Sequence, residues 1–204
     1  MSNILIIKTS PRTGGNSDAL ADEFARGAAE AGHHVETVSL ARKAIGFCRG
    51  CLACQDTHRC VMHDDADAIG QQIHDADVVV WATPVYYYSV SGQMKTMIDR
   101  SNPVYGTDYK FRDVYLLASA AEDEPTTADG AVTALKGWVA CFERSRLAGV
   151  VFAGGVMSSE IVRDYITKRM QYAYFVPGKF ASDNAIGVSI LAAREINAWP
   201  NTSM

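Results

Sequence analysis

Apolar runs alternate along this chain with stretches in which apolar residues recur every three or four positions. The runs predict five β-strands, at residues 3–8, 34–40, 77–82, 114–118 and 148–153. The stretches with helical spacing predict α-helices over residues 17–31, 65–75, 91–101 and 126–144. Strands that alternate with helices in this way predict an α/β fold with a five-stranded, parallel, doubly wound sheet.

The length of the chain fits one domain, because 204 residues can bury a full core and the sequence contains no internal repeat. We therefore expect a single domain over residues 1–204. Two parts depart from the regular pattern, a cysteine-rich loop at 46–64 and a less regular C-terminal extension at 156–204. Within the extension the pattern predicts two helices and a turn, at residues 159–174, 187–197 and 177–178.

Charge and composition exclude several classes of partner. The formal net charge of −4 argues against nucleic-acid binding, which needs a basic face. No apolar stretch is long enough to span a membrane, and no secretory signal precedes the first strand. Four of the five cysteines lie between positions 48 and 60, which is not the spread-out pattern of a disulfide framework. We therefore expect a cytoplasmic protein.

Three loops are candidates for a ligand site, because ligands of doubly wound sheets bind beyond the carboxyl ends of the strands. These loops are residues 9–17, 83–91 and 119–124. The first is rich in hydroxyl and glycine residues and precedes a helix, so converging N–H groups predict a phosphate site. Arg12 adds a positive charge, and a phosphate monoester such as that of FMN suits the loop. The alternative is an ordinary turn with Ser17 as the helix N-cap.

The second loop contains three consecutive tyrosines, Tyr86, Tyr87 and Tyr88, just after a strand that is apolar throughout. Aromatic side chains at the carboxyl edge of a sheet can pack beside a flat heterocycle, whose polar edge backbone groups can recognise. The alternative is an interface patch or packing against the neighbouring helix, which is the stronger interpretation for Tyr88 than for Tyr86.

The remaining charged residues have simple structural interpretations. Asp64 and Asp65 precede a helical pattern, which capping explains without chemistry. Lys95, Asp99 and Arg100 lie at helical spacing and predict a solvated face or an ion pair. No serine, histidine and carboxylate are arranged as a catalytic triad, so no side chain is predicted to act as a catalytic acid, base or nucleophile.

Taken together, these motifs resemble a known family. Ser10-Pro11-Arg12 through Asn16-Ser17, Thr83-Pro84-Val85-Tyr86, and Lys95 through Asp99-Arg100 are similar to the flavodoxin-fold NADPH-dependent FMN reductases. Within that superfamily, the chain resembles the iron-sulfur flavoprotein group through Cys48, Cys51, Cys54 and Cys60, followed by Asp64-Asp65. The resemblance covers roughly residues 1–155.

The resemblance implies a flavodoxin-like three-layer sandwich, a bound FMN, and a homodimer or homotetramer. By position, it implies a phosphate site formed by Ser10, Arg12, Asn16 and Ser17. It places Pro84, Val85, Tyr86 and Tyr87 along the isoalloxazine ring. Ser119 and Ala120 would approach the other edge of that ring.

The four clustered cysteines have three interpretations. Their thiolates, at Cys48, Cys51, Cys54 and Cys60, can wrap one [4Fe–4S] cluster, since a ferredoxin has the same first spacings. They can hold zinc, with or without His58 or His63. They can also remain free and reduced. The spacing leaves all three open, whereas Cys141 is expected in the core on the inner face of a helix.

The expected reaction follows from the cofactor. A nicotinamide of NAD(P)H passes hydride to FMN, which hands electrons to a flavin, a quinone or a similar acceptor. Tyr105 and Tyr109 are further candidates for the acceptor side. One alternative is an electron carrier in which a cluster on the cysteines exchanges electrons between a ferredoxin and FMN. Another is a flavodoxin-fold module that binds no cofactor.

Overall fold

The five predicted strands all form, in a computed structural model that describes residues 1–122, 124 and 126–154. They are β1 Asn3–Lys8, β2 His34–Ser39, β3 Val78–Pro84, β4 Asp113–Ser119 and β5 Arg146–Ala153. All pairings are parallel, and the strand order is β2-β1-β3-β4-β5. This order confirms the predicted doubly wound, flavodoxin-like sheet.

The helices of the described residues lie on both sides of this sheet. They are α1 Asn16–Glu30, α2 Cys54–Thr57, α3 Asp65–Asp75, α4 Gly92–Arg100 and α5 Asp129–Val139, with a 3₁₀ turn at Asn102–Val104. The short helix α2 interrupts the cysteine-rich loop, which was predicted to be irregular. The predicted C-terminal extension, 156–204, lies outside the described residues. None of the described helices is long and apolar enough to cross a bilayer.

Helix α5 corrects two predictions. The apolar spacing predicts a helix over 126–144, but α5 ends at Val139 because the chain turns there to bring Phe142 into the core. Cys141 falls in this turn and is exposed, so its predicted place in the core is wrong.

The core is divided by the sheet into two layers of side chains. Every residue of β3 is buried, as expected of a strand covered on both faces. Trp81 and its neighbours on one face pack against α3, α4 and α5, whereas Val80 and its neighbours on the other face pack against α1. Because side chains alternate along a strand, the single run Val78–Pro84 contributes to both layers.

An aromatic cluster fills the first layer near α5. Phe111 stacks on Trp138 with ring centroids 5.5 Å apart, and its centroid is 5.0 Å from that of Phe142. Tyr109 is also part of this cluster, at 4.5 Å from Phe111, and its hydroxyl accepts a hydrogen bond from the Arg144 backbone N–H. The prediction that Tyr109 contributes to the acceptor side is therefore wrong, because the ring is buried in the core.

We expect Phe111→Ala to lower the free energy of unfolding by about 3–5 kcal/mol, because it removes a fully buried ring from the centre of this cluster. Urea unfolding followed by circular dichroism measures the change. The exposed Tyr105 supplies the control, and Tyr105→Ala is expected to change the stability by less than about 0.5 kcal/mol. Equal losses in the two variants would contradict the assignment of the core to this layer.

Candidate functional site

The strand order reverses between β1 and β3, which are neighbours in the sheet but not in the sequence. Their carboxyl ends lie side by side, with Lys8 paired to Ala82. The third predicted loop joins them, because the Val85 N–H donates to the Ser119 carbonyl at 2.7 Å. The three loops selected from the sequence therefore begin at one edge of the sheet, where ligands of such folds bind.

A cluster of three buried hydroxyl groups ties the first two loops together. Thr9 Oγ1 donates to the Ala82 carbonyl at 2.9 Å, and Ser91 Oγ lies 3.0 Å from Thr9 Oγ1. The Ser91 N–H donates to Thr83 Oγ1 at 3.1 Å, and Ser91 Oγ accepts from the Met94 N–H as the N-cap of α4. Sequence reasoning missed these roles, although hydroxyl residues at the ends of apolar strands were a usable signal.

The first loop is shaped by two side chains that accept from its own backbone. Ser10 Oγ accepts from the Arg12 N–H at 3.1 Å and also donates to the Arg12 carbonyl at 2.7 Å. The Gly14 N–H donates to Asp18 Oδ2 at 2.9 Å, and Gly14 has a φ of +73°, which suits glycine. Asp18 was not predicted. It lies in the first turn of α1, where a carboxylate is favoured by the helix dipole.

The first-turn N–H groups of α1, at the end of this loop, are not capped by a side chain. Helix α1 begins at Asn16 after Gly15, and no side chain caps it. The alternative in which Ser17 is the N-cap is therefore wrong: Ser17 lies inside the first turn. Among the described residues, the Ser17 hydroxyl makes no hydrogen bond, and Arg12 is exposed without an ion-pair partner. The loop thus presents first-turn N–H groups, a hydroxyl and a guanidinium.

The tyrosines of the second loop form a two-residue turn. The Tyr86 and Ser89 backbones exchange both hydrogen bonds, at 3.0 and 3.1 Å. Tyr87 and Tyr88 have φ values of +48° and +61°, which is a type I′ arrangement normally filled by Asn and Gly. Bulky residues in this conformation cost of order 1–3 kcal/mol each, so the surrounding structure must hold them in place.

Two contacts hold the tyrosine turn. The Tyr88 hydroxyl donates to Glu122 Oε2 at 2.8 Å, and this bond raises the pKa of Tyr88. The Tyr88 carbonyl packs against Gly130 at the start of α5, where an added Cβ would lie only 2.0 Å from that oxygen. Glycine at position 130 is therefore required for this close approach. This requirement could not be predicted from the local pattern, because Gly130 lies in a stretch with helical spacing.

A cleft of about 370 Å³ lies between the second and third loops, within the usual size of a ligand site. Its lining residues are Val85, the three tyrosines, Ala120, Ala121, Glu122 and Thr127. Thr127 Oγ1 is buried and has no hydrogen-bond partner among the described residues. Pro84 and Ser119 do not line this cleft but pair with each other at the ends of β3 and β4.

The four clustered cysteines line one small cavity of about 30 Å³. Three of their sulfurs accept hydrogen bonds: Cys48 from the Gly50 N–H at 3.5 Å, Cys60 from the Met62 N–H at 3.5 Å, and Cys54 from the Asn102 amide at 3.0 Å. All are free thiols, and Cys48 and Cys51 are exposed.

The cysteines do not form a site for a single metal ion. Within residues 1–154, apart from 123 and 125, no three His, Cys, Asp or Glu side chains are grouped closely enough to hold one ion. His58 lines a different cavity, beside α3.

A buried ion pair closes the cysteine-rich loop. Arg100 donates to both carboxylate oxygens of Asp64 at 2.7 Å, which holds the pKa of Asp64 below its usual range. Asp64 caps α3 by accepting from the Ala66 N–H, as predicted, and it also accepts from the Gly46 N–H. The predicted ion pair on α4 forms between Lys95 and Asp99, but Arg100 is buried rather than solvated.

Comparison with solved structures shows the class of fold. An NAD(P)H:quinone oxidoreductase from Methanothermobacter marburgensis superposes with a TM-score of 0.67 at 17% identity, over 100% of this chain and 98% of that one. An FMN-dependent NADH-azoreductase of Bacillus anthracis, solved in complex with FMN, gives a TM-score of 0.62 at 14% identity, over 96% and 99%. The architecture is the flavodoxin-like fold.

Comparison of sequences shows the family. Residues 2–157 match the NADPH-dependent FMN reductase family. An iron-sulfur flavoprotein of Archaeoglobus fulgidus is 31% identical over 182 residues, which is 85% of this chain and 78% of that protein. The chain belongs to the NADPH-dependent FMN reductase family, and it is a flavin oxidoreductase that uses FMN and NAD(P)H.

We expect Gly130→Ala to weaken FMN binding about tenfold and to destabilise the fold by about 1–3 kcal/mol, because the new methyl group displaces the tyrosine turn. Flavin fluorescence quenching and urea unfolding measure the two effects. Gly137→Ala on the same helix is the control, since a Cβ there meets nothing within 4 Å. That change is expected to stabilise the fold by up to about 1 kcal/mol without altering FMN affinity. Unchanged FMN affinity in Gly130→Ala would contradict the role of the turn.

Proposed function

We propose that this chain passes electrons from NAD(P)H through FMN to a small, flat acceptor such as a free flavin or a quinone. One observation carries the proposal: a donor-rich helix N-terminus follows β1 and a cleft lined by tyrosines follows β3, and these are the two neighbouring strands between which the strand order reverses. The first suits a phosphate monoester and the second suits an aromatic ring system, which are the two ends of FMN.

The residues of the first loop suit the phosphate of FMN. Ser17 offers a free hydroxyl, and Ser10 holds the loop in the shape that exposes the first-turn N–H groups. Asn16 and Arg12 are exposed at the same end of the helix. Asp18 places a negative charge beside this terminus, so the Arg12 guanidinium is needed to balance it when a phosphate is bound.

The second and third loops suit the isoalloxazine ring. Val85, Tyr86, Tyr87 and Ala120 all line the cleft, so four of the predicted ring contacts face one space. Pro84 and Ser119 set the ends of the strands from which these loops leave. Because the Val85 N–H is already bonded to the Ser119 carbonyl, that N–H shapes the loop rather than contacting the ring.

Bound FMN supplies the redox chemistry, since its ring accepts hydride from a nicotinamide and gives electrons to an acceptor. The protein orients the ring and excludes water from one of its faces. No titrating side chain is needed as an acid or a base. Tyr87 is fully exposed beside the cleft, where a flat acceptor or a second copy of the chain can cover it. A homodimer or homotetramer in which a second copy does so is part of this proposal.

A second candidate function is electron transfer through an iron–sulfur cluster on the cysteines, with a ferredoxin as the partner. It is favoured by the four cysteines around one cavity and by the N–H groups that donate to three of their sulfurs. Hydrogen bonds of this kind stabilise thiolate ligands. The cavity is small, so a cluster requires the exposed sulfurs of Cys48 and Cys51 to move outward.

An anaerobic visible spectrum of freshly purified protein, recorded before and after NADPH is added, tests the first function. We expect two flavin bands that bleach with NADPH and return when a quinone is supplied. Flavin bands that stay unchanged with both NADPH and NADH would contradict the reductase function.

The phosphate site is tested with Arg12→Ala. We expect about a tenfold loss of affinity for FMN and no loss of affinity for riboflavin, because only FMN carries the phosphate that the guanidinium faces. Fluorescence titration with both flavins measures the difference. Lys136→Ala, which removes an exposed charge on α5, is the control and should alter neither affinity. Parallel losses for FMN and riboflavin would show that Arg12 does not act on the phosphate.

The cluster is tested with Cys51→Ser. If the second function holds, this variant loses the broad brown absorption and the bound iron but keeps the flavin bands. Cys141→Ser is the matched control, because Cys141 is an exposed thiol outside the cysteine-rich loop and should leave the iron content unchanged. Wild-type protein that binds no iron after anaerobic reconstitution would rule out this function and leave the first untouched.

A further inference from the structure

Arg100 is a buried cation at the end of α4, with 2% of its surface exposed. Its Nη1 donates to the Gly46 carbonyl at 2.7 Å and its Nη2 donates to the Met62 carbonyl at 3.1 Å. Together with the two bonds to Asp64, these contacts join the beginning and the end of the cysteine-rich loop. The Arg100 side chain therefore holds together the two ends of the loop that contains the four cysteines.

One N–H donor of this guanidinium makes no hydrogen bond to the described residues. Arginine has five N–H donors, and the contacts with Gly46, Met62 and Asp64 use those on Nη1 and Nη2. The Arg100 Nε–H is buried and has no acceptor among the described residues. A buried donor on a charged group is costly to leave unpaired, so its presence points to an acceptor that the described residues do not supply.

The guanidinium lies beside the cysteines, and Met62 connects the two. The Met62 carbonyl accepts from Arg100 Nη2 at 3.1 Å, and the Met62 N–H donates to the Cys60 sulfur at 3.5 Å. Cys60 and Met62 both line the cavity shared by the four cysteines. A second donor beside the same sulfur is the arrangement that stabilises an anionic sulfur ligand.

We propose that Arg100 is a positioning residue for an iron–sulfur cluster on Cys48, Cys51, Cys54 and Cys60, and that its buried charge raises the reduction potential of that cluster. The proposal rests on the second candidate function above. A bound cluster would supply, through its sulfur atoms, the acceptor that the Nε–H lacks. Reduction would add one electron to such a cluster and no proton, so the fixed cation would stabilise the reduced form more than the oxidised form.

Asp64 sets the size of this effect. Its carboxylate offsets much of the guanidinium charge, so the electrostatic potential at the cysteines is the sum of a positive and a negative contribution. Removal of Arg100 and removal of the Asp64 charge must therefore shift the potential in opposite directions. A role limited to holding the loop in shape predicts no such opposition, because both variants would loosen the same frame.

The experiment compares Arg100→Gln, Arg100→Lys and Asp64→Asn with wild type, all purified and reconstituted anaerobically with FMN and iron. Iron and sulfide content, circular dichroism, and the midpoint potentials of cluster and flavin are measured. We expect Arg100→Gln to lower the equilibrium constant for cluster reduction about tenfold, which is about 59 mV for a one-electron couple. Arg100→Lys keeps the positive charge, so we expect a smaller decrease in the midpoint potential of the cluster. Asp64→Asn keeps a side chain that can cap α3 but removes the negative charge, so we expect it to raise that potential.

Arg26→Gln is the matched control, because Arg26 is an exposed arginine on α1 paired with Glu23 and Glu30. It should leave the cluster potential unchanged, and the flavin potential should stay constant in every variant. Full iron content with no opposed shifts would overturn the role of Arg100 and leave the cluster itself standing. Wild-type protein without iron would overturn both. If Arg100→Gln does not fold, the midpoint potential of the cluster in Asp64→Asn still tests the proposal: an increase supports the role of the Arg100 charge, and no increase overturns it.

Discussion

The parallel pairing of β1 with β3 is the constraint on which the functional site depends. In the sequence these strands are separated by α1, β2, the cysteine-rich loop and α3. Their carboxyl ends are nevertheless joined by backbone hydrogen bonds and by the hydroxyl groups of Thr9, Thr83 and Ser91. This pairing brings a donor-rich loop and an aromatic loop to one edge. Neither loop could bind both ends of a flavin alone, so the ligand site is a property of the sheet topology.

The two parts of the site are held by different physical means. At the edge with the tyrosines, buried hydroxyl groups and the carboxylates of Asp18 and Glu122 fix the loops, and the close approach at Gly130 holds a tyrosine turn in an unfavourable backbone conformation. On the cysteine side, an ion pair between the buried Arg100 and Asp64 fixes the loop. A buried charge acts more strongly on a charge that changes beside it than an exposed charge does.

The sequence predicted the strands well because buried parallel strands such as Val78–Pro84 are continuous apolar runs. It predicted α5 too long because Phe142 continues the helical spacing, although the ring reaches the aromatic cluster from a turn. It predicted a solvated face or an ion pair for Lys95, Asp99 and Arg100, but it could not identify the partner of Arg100. Helical spacing reports only on residues three or four positions apart, whereas Asp64 lies 36 residues away. The loops at the carboxyl edge of the sheet were predictable, but the contacts that hold them were not, because tertiary packing decides those contacts.

Helix α4 has a consequence for the distance between the two parts of the site. Its N-cap, Ser91, is bonded to the loops at the flavin edge, and its last residue, Arg100, closes the cysteine-rich loop. Nine helical residues with a rise of about 1.5 Å each make a rod of about 13 Å. The number of helical turns in α4 therefore sets the distance between the loops at the carboxyl edge of the sheet and the ion pair that closes the cysteine-rich loop.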